Sequence, residues 1–393
     1  MDQPLTKSSL LVSPVADGYA VYDIDEKRFH ELNPTAALLF ELCDGERSID
    51  EITTIAKGVL PEDSEGAVVG WIEQAEKAGM LIEGKDFDRG AARQLTSVDL
   101  VELASELREG GLVQAAYMCQ EQAVALEPDN AARLRELGEL AHILGKRPEA
   151  RAAYERYLDL MEEDAEIRHL LTSLRDEQAP ARVPDECVQQ LYERFASFYE
   201  SNMCGELGYE GPEQLCTVID ESLGERNDLN VLDLGCGTGL AGLAIKPRAR
   251  RLVGVDLSAA MIEHARERKI YDELHVAEVT DWLRTTDEKF DLIIACDTFI
   301  YFGDLGPVLS LAAERLAEGG RIAFSVERAE QGSHQLTDNG RYVHHQSHLT
   351  EAAHAADLKV CNHRQAFLRM EYGEPVNGTY MCLSGPPVVT ALN

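Results

Sequence analysis

The chain has 393 residues, 45% of them hydrophobic, and a formal net charge of -33. That length supports two or three packed domains, and an acidic excess spread through both halves argues against nucleic acid or an anionic membrane as partner. No apolar run reaches the roughly 18–20 residues of a membrane span, Met1-Asp2-Gln3-Pro4 lacks the basic and apolar regions of a signal peptide, and nine cysteines without a C-x-x-C pair fit reduced thiols in the cytoplasm.

Tyr19–Tyr22 and Arg28–Leu32 read as strands on either side of the turn Asp25-Glu26-Lys27. Asn33 and Pro34 then open a helix carrying Ala37, Leu38, Phe40 and Leu42, which stops near Gly45. Ser48 and Glu51 form a capping box for a second helix with Ile49, Ile52 and Ile55 inward. A third helix spans Glu65 to Ala78, with Val68, Trp71, Ile72 and Ala75 on one stripe; Gly79 ends it and Met80-Leu81-Ile82 adds a strand. A hairpin plus three helices predicts an α+β winged-helix domain over residues 1–90. Its third helix holds Glu65, Glu73 and Glu76, which disfavours DNA.

The run Leu32-Asn33-Pro34-Thr35-Ala36-Ala37-Leu38-Leu39-Phe40-Glu41-Leu42-Cys43-Asp44-Gly45, with Ser48–Ile52 and Lys77–Leu81, resembles the PqqD-like family of small peptide chaperones. The resemblance implies recognition of the leader of a ribosomally made precursor peptide, bound as an added strand between Arg28–Leu32 and Val68–Ala75. A winged helix used for packing or dimerisation is the alternative.

Residues 95–178 hold an internal repeat with a period of about 34 residues, the tetratricopeptide spacing. Ala104, Gly111, Ala116, Ala123 and Pro128 recur as Gly138, Gly145, Ala150, Tyr157 and Glu162, and Leu171 matches Leu103 and Leu137 as the start of a capping helix. So short an all-α stack is expected to pack on a neighbour, as a peptide-binding surface, a spacer or a homodimer face. The polar, proline-bearing stretch Asp176–Pro184 marks the next boundary.

From 185 to 393 the pattern is α/β, a doubly wound Rossmann-like sheet. Predicted strands are 230–234, 251–255, 273–277, 290–296, 320–326, 358–363 and 379–384; predicted helices are 238–246, 258–268, 306–317 and 348–356. Val231-Leu232-Asp233-Leu234-Gly235-Cys236-Gly237-Thr238-Gly239 reads as a buried strand turning sharply into a helix, where glycines admit close approach of a ligand. Asp256 ends the next apolar run and suits a ribose diol; Glu278 and Asp297 fall at the ends of later strands. A dinucleotide-binding domain is the competing reading.

With Asp233 ahead of the G-x-G-x-G loop, the segment resembles motif I of the class I S-adenosyl-L-methionine (SAM) methyltransferases. The resemblance implies SAM as cofactor. The loop of Gly235, Cys236, Gly237 and Gly239 would lie against its methionine portion, Asp233 would engage the amino end or brace the loop, and Asp256 would hold the ribose. Leu257, Met261 and Val279 would line the adenine pocket, Glu278 would face the adenine amino group, and Asp297 would stand near the transferable methyl. Leu191–Glu200, Ala295–Leu305, Arg341–His345 and Gly373–Gly378 resemble tetratricopeptide-linked members of that class. By that likeness Tyr199 is a lid over the methionine portion.

Tyr301, beyond the fourth strand, is a candidate for holding the sulfonium or orienting substrate. Arg341, Tyr342 and His344 form a candidate substrate-facing cluster in residues 334–347, read as a loop at the site's mouth; His344 suits a general base and Arg341 a carboxylate nucleophile. Metal binding by His344 and His348 is not expected. The whole predicts a cytoplasmic methyltransferase whose partners are a precursor peptide and other modifying enzymes. A methyltransferase of a small metabolite or free protein, and a non-catalytic adaptor, are the alternatives.

Overall fold

The computed structural model describes residues 2–385 except 16, 58–64, 85–94, 176–177, 197–198, 201–202, 204, 206 and 372. The chain divides into two units, Met1–Met161 and Glu162–Asn393.

The first unit opens with β1 (Pro4–Thr6), β2 (Leu10–Val15), β3 (Gly18–Asp23) and β4 (Arg28–Leu32). Next come α1 (Pro34–Leu42), α2 (Ile49–Lys57), α3 (Glu65–Lys77) and β5 (Leu81–Glu83). The Asn33 side chain accepts from the Ala36 N–H at 2.9 Å, and Ser48 and Glu51 close a capping box at the start of α2. Val21, Leu39, Ile52, Val68, Ile72 and Ala75 share one core. The inward stripe of α2 differs from the expected one: Ala56 is fully buried and Ile55 is 42% exposed. Ala56 lies one helical turn beyond Ile52, and Ile55 falls off that line.

In place of the expected hairpin stands a three-stranded antiparallel sheet of order β2-β3-β4. Strand β2 escaped the sequence reading because Ser13 and Pro14 break its apolar run. Pro14 also removes a backbone donor from that edge. Strand β4 contains no proline and pairs only with β3 among the described residues.

Four helices complete the unit, α4 (Ser97–Glu109), α5 (Val113–Leu126), α6 (Ala131–Ile143) and α7 (Arg147–Leu160). They pack as α4 with α5 and α6 with α7, and α5 also packs on α6, β2 and β3. Small residues sit where helices meet: a Cβ on Gly138 would lie 2.4 Å from the Tyr154 ring.

The second unit starts earlier than the polar stretch at 176–184 suggests. Its first helix, α8 (Ala165–Leu174), is tied to later chain by His169 Nε2 on the Gly340 carbonyl at 2.9 Å and by Ser173 Oγ donating to the Asp338 carbonyl. After α9 (Asp185–Phe195) and α10 (Gly211–Leu223), strands and helices alternate: β6 (Leu229–Leu234), α11 (Leu240–Ile245), β7 (Ala249–Asp256), α12 (Ala259–Glu267), β8 (Glu273–Val276), α13 (Val279–Thr285), β9 (Phe290–Ala295), α14 (Gly306–Glu314) and β10 (Leu316–Arg328). Then follow β11 (His334–Leu336), β12 (Tyr342–His344), α15 (Gln346–Ala355) and the hairpin β13 (Lys359–Glu371) and β14 (Glu374–Ser384).

The sheet runs β8-β7-β6-β9-β10-β14-β13, parallel through β10, with β14 antiparallel to its neighbours. Both faces are covered. Leu232 and Leu234 of β6 enter one core and Val231 the other, which explains why these strands read as mostly apolar runs without alternation. The chain leaves β6 toward β7 and β8 and returns to β9 on the other side. The winding therefore reverses between β6 and β9, where ligands bind in such sheets. Among the described residues, no helix is long and apolar enough to cross a membrane.

Candidate functional site

A cavity opens at that reversal point, where small-molecule sites form in such sheets. Gly235 and Gly237 from the loop after β6, Asp256 and Leu257 from β7, Met261, Glu278 and Val279, and Asp297 from β9 all line it. Four loops separated in sequence converge because every parallel strand here ends on the same side.

The glycine loop is shaped by its neighbours. Gly235 has φ +67°, and a Cβ there would meet the Thr298 side chain at 2.3 Å. Gly237 has φ +54° and faces open space on the cavity wall. Asp256 ties this loop to β7: Oδ2 accepts from the Gly237 N–H and Oδ1 from the Ser258 N–H, each at 2.8 Å. Burial raises its pKa against the backbone N–H groups of Ser258, Gly237 and Leu257. Glu278 lines the cavity and also caps α13, accepting from the Asp281 N–H at 2.8 Å.

Asp233 lies behind the wall. It is fully buried, Tyr271 donates to its Oδ2 at 2.7 Å, and its Oδ1 has no partner. Burial pushes its pKa up to about 7, Tyr271 opposes the shift, and Asp256 adds to it. The folded chain thus keeps a proton that the unfolded chain releases near pH 4. Proton binding then exceeds that of the unfolded state between roughly pH 4 and pH 7, so stability falls as pH rises through this window. Thermal melts of the cofactor-free protein from pH 5 to pH 8 are expected to show that fall, smaller in Asp233→Asn. Equal slopes in the two proteins would assign the loss elsewhere. Cys236 is buried inside the loop, and Gly239 caps α11 against Arg268 and Tyr271; neither lines the cavity.

The rest of the wall is aromatic. Tyr199 lines it, and the Tyr192 ring meets Tyr199 and Tyr301 edge to face, each pair at 6.0 Å. The Tyr192 and Tyr301 hydroxyls share a hydrogen bond at 2.7 Å. Tyr192 is a wall residue outside the set expected from the sequence. Its signal was periodic: Asp185, Val188 and Tyr192 recur along one face of α9, and all three line the cavity. Arg182 and Val183 also line it, on a segment strapped to the Tyr301 region by Val183 N–H to Tyr301 O at 2.8 Å and Gly303 N–H to Ala181 O at 2.9 Å. Ser197 and Phe198 of the Leu191–Glu200 segment lie outside the described residues.

The second predicted cluster is placed differently. Residues 334–347 are not an open loop, because β11 and β12 pair there and β12 joins β10. Tyr342 and His344 are consequently buried. His344 Nε2 lies 2.9 and 3.0 Å from the Phe302 and Gly303 carbonyls, so this nitrogen carries the proton. Burial pushes the His344 pKa down to about 4. Tyr342 donates to the Pro180 carbonyl. Arg341 Nε donates to Glu327 at 2.7 Å and its Nη2 to Glu371, so its charge is already matched. None of the three lines the cavity; of the four predicted catalytic residues, Tyr301 does.

Residues 225–372 match the family described as Methyltransferase domain, and residues 18–81 match Coenzyme PQQ synthesis protein D (PqqD). The chain carries a methyltransferase domain and a PqqD domain. Curated relatives include a malonyl-[acyl-carrier protein] O-methyltransferase of Acetivibrio thermocellus, 32% identical over 113 residues, 28% of this chain and 40% of that protein. Another is a trans-aconitate 2-methyltransferase of Paracidovorax citrulli, 32% identical over 109 residues, 27% of this chain and 42% of that protein. The chain thus spans less than half the length of either. Among solved structures, the N-methyltransferase NodS from Bradyrhizobium japonicum WM9 with S-adenosyl-L-homocysteine aligns at 20% identity and TM-score 0.42, covering 50% of this chain and 98% of that one.

Proposed function

We propose that this chain is a SAM-dependent methyltransferase that modifies a ribosomally made precursor peptide, captured by its leader through residues 18–81. The observation that carries the reading is the presence in one chain of a sheet with an open edge at β4 and a cavity that gathers the ends of four parallel strands. Main-chain pairing at such an edge supplies affinity for an extended peptide. Holding the leader raises the effective concentration of the core peptide, so contacts at the cavity can be weak.

The residues fit the cofactor. Asp233, fully buried behind the wall with Oδ1 unpartnered, fits a role in bracing the glycine loop or engaging the amino end. The Asp256 carboxylate takes backbone N–H groups and, with about four acceptor sites, keeps capacity for the ribose hydroxyls. Leu257, Met261 and Val279 offer the apolar walls an adenine ring needs, with Glu278 beside them, and Tyr199 and Tyr301 bring aromatic faces to the other end. SAM supplies an electrophilic methyl group on a sulfonium, displaced in line. The chain's own task is to position the acceptor and exclude water. Residues 95–160 are read as tetratricopeptide-like pairs that hold the peptide or a second copy of the chain, and further modifying enzymes are expected to share the captured peptide.

Methyl-labelled SAM, added with the chain to extract of the producing organism, tests the reading. Label in a peptide of a few kilodaltons supports it. Label in a small metabolite replaces the peptide, and SAM bound without transfer to any product turns the chain into an adaptor.

A further inference from the structure

Resting on the methyltransferase reading, we infer that the end of the cavity at Asp297 is a cation subsite that receives the amino group of the methyl-accepting substrate. Asp297 follows β9 in the left-handed region, with φ +58°. Non-glycine residues held there concentrate at functional sites. Its N–H donates to Ser325 Oγ at 2.8 Å, and its Oδ2 accepts from Arg369 Nη1 at 2.9 Å. The side chain is 10% exposed, lines the cavity, and leaves Oδ1 buried without a partner.

Behind Asp297 lies a closed set of charges. Arg369 Nη2 bonds Glu327 and lies 3.3 Å from Glu371; Arg341 bonds the same two carboxylates. Three carboxylates thus face two guanidiniums, and the ionised set carries one uncompensated negative charge. Burial pushes Glu327 up, but Arg341 and Arg369 together hold it below its ordinary range, so it stays charged. Burial raises Asp297 against the pull of Arg369. Asp297 is thus the member of the set that lines the cavity and keeps an unpartnered oxygen. An unpaired buried charge is costly, and an ammonium group at Oδ1 removes the cost by a charge-assisted hydrogen bond.

The remaining wall agrees. Tyr192, Tyr199 and Tyr301 present aromatic rings that favour a cation. Arg182 is the single basic residue on the described wall, and it is paired with Asp185 and 3.6 Å from Glu278. A carboxylate or phosphate acceptor would meet no unmatched positive charge there. Arg341, the sequence-based candidate for holding a carboxylate, belongs to the network that selects against one.

The test uses the full chain loaded with S-adenosyl-L-homocysteine, whose neutral sulfur leaves the subsite without a competing sulfonium. Calorimetric titration with n-butylamine, n-butanol and n-butyrate at neutral pH and physiological salt compares three head groups on one alkyl stem. The amine is expected to bind at least about tenfold tighter than the alcohol, and butyrate weakest. Asp297→Asn, a residue type that tolerates the left-handed backbone, is expected to abolish that preference. Glu318→Gln, at an exposed acid, is expected to retain it and so to exclude the chain's overall acidity as the cause. Equal binding of amine and alcohol to the native chain overturns the inference and leaves the methyltransferase reading standing, and so does an unchanged preference in Asp297→Asn. Failure of the native chain to bind S-adenosyl-L-homocysteine overturns both.

Discussion

Replacing Asp256 with alanine is expected to weaken binding of SAM, or of S-adenosyl-L-homocysteine, by at least about 100-fold. Hydrogen bonds to a charged group contribute about 1.5–3 kcal/mol each, and the ribose offers two hydroxyls to this one carboxylate. The substitution has a second consequence, because Asp256 also accepts the Gly237 N–H that fixes the glycine loop. Asp256→Asn keeps one acceptor oxygen and is expected to lose about tenfold, near 1.4 kcal/mol. Calorimetry on both variants, with thermal melts to show that they fold, checks the ranking. Unchanged affinity in Asp256→Ala would remove Asp256 from the cofactor's grip and with it the assignment of the neighbouring wall.

Local chemistry explains why this part of the site could be read early. A mostly apolar strand leads straight into three glycines at alternate positions, and an acid ends the next strand 19 residues after Gly237, all within one short stretch of sequence. The structure brings Gly235, Gly237 and Asp256 to one wall. The charge network could not be read that way. Asp297, Glu327, Arg341, Arg369 and Glu371 meet only because β10, β13 and the segments after β9 and before β12 lie close in the folded chain, and no local pattern announces such pairings.

His344 went astray for a related reason. Its polar neighbours suggest a solvated loop, yet two short strands draw it under the Phe302 and Gly303 carbonyls. A histidine there serves the fold, and its depressed pKa follows from burial. Helix α9 shows the opposite case, where Asp185, Val188 and Tyr192 carried a helical period that pointed to one shared face.

Proline in β4 is expected to separate peptide capture from catalysis. In antiparallel pairing, successive residues turn their N–H groups alternately toward the partner strand and away from it. His30 pairs with Val21 and Glu31 with Ala20, so one of these two positions donates into the sheet and the other toward the open edge. His30→Pro and Glu31→Pro are therefore expected to differ. The inward member loses a sheet hydrogen bond and lowers the melting temperature of its unit. The outward member leaves the melt nearly unchanged and weakens binding of the labelled precursor peptide at least about tenfold, since it deletes one main-chain bond and places a ring where the peptide strand must approach. Transfer to a leaderless core peptide at high concentration is expected to be the same in the native chain and the outward variant, because tethering contributes only effective concentration. Full peptide affinity in both proline variants would exclude the β4 edge as the docking strand. The other edge, β2, is a poorer strand template, because Pro14 interrupts its donors and α5 packs against it.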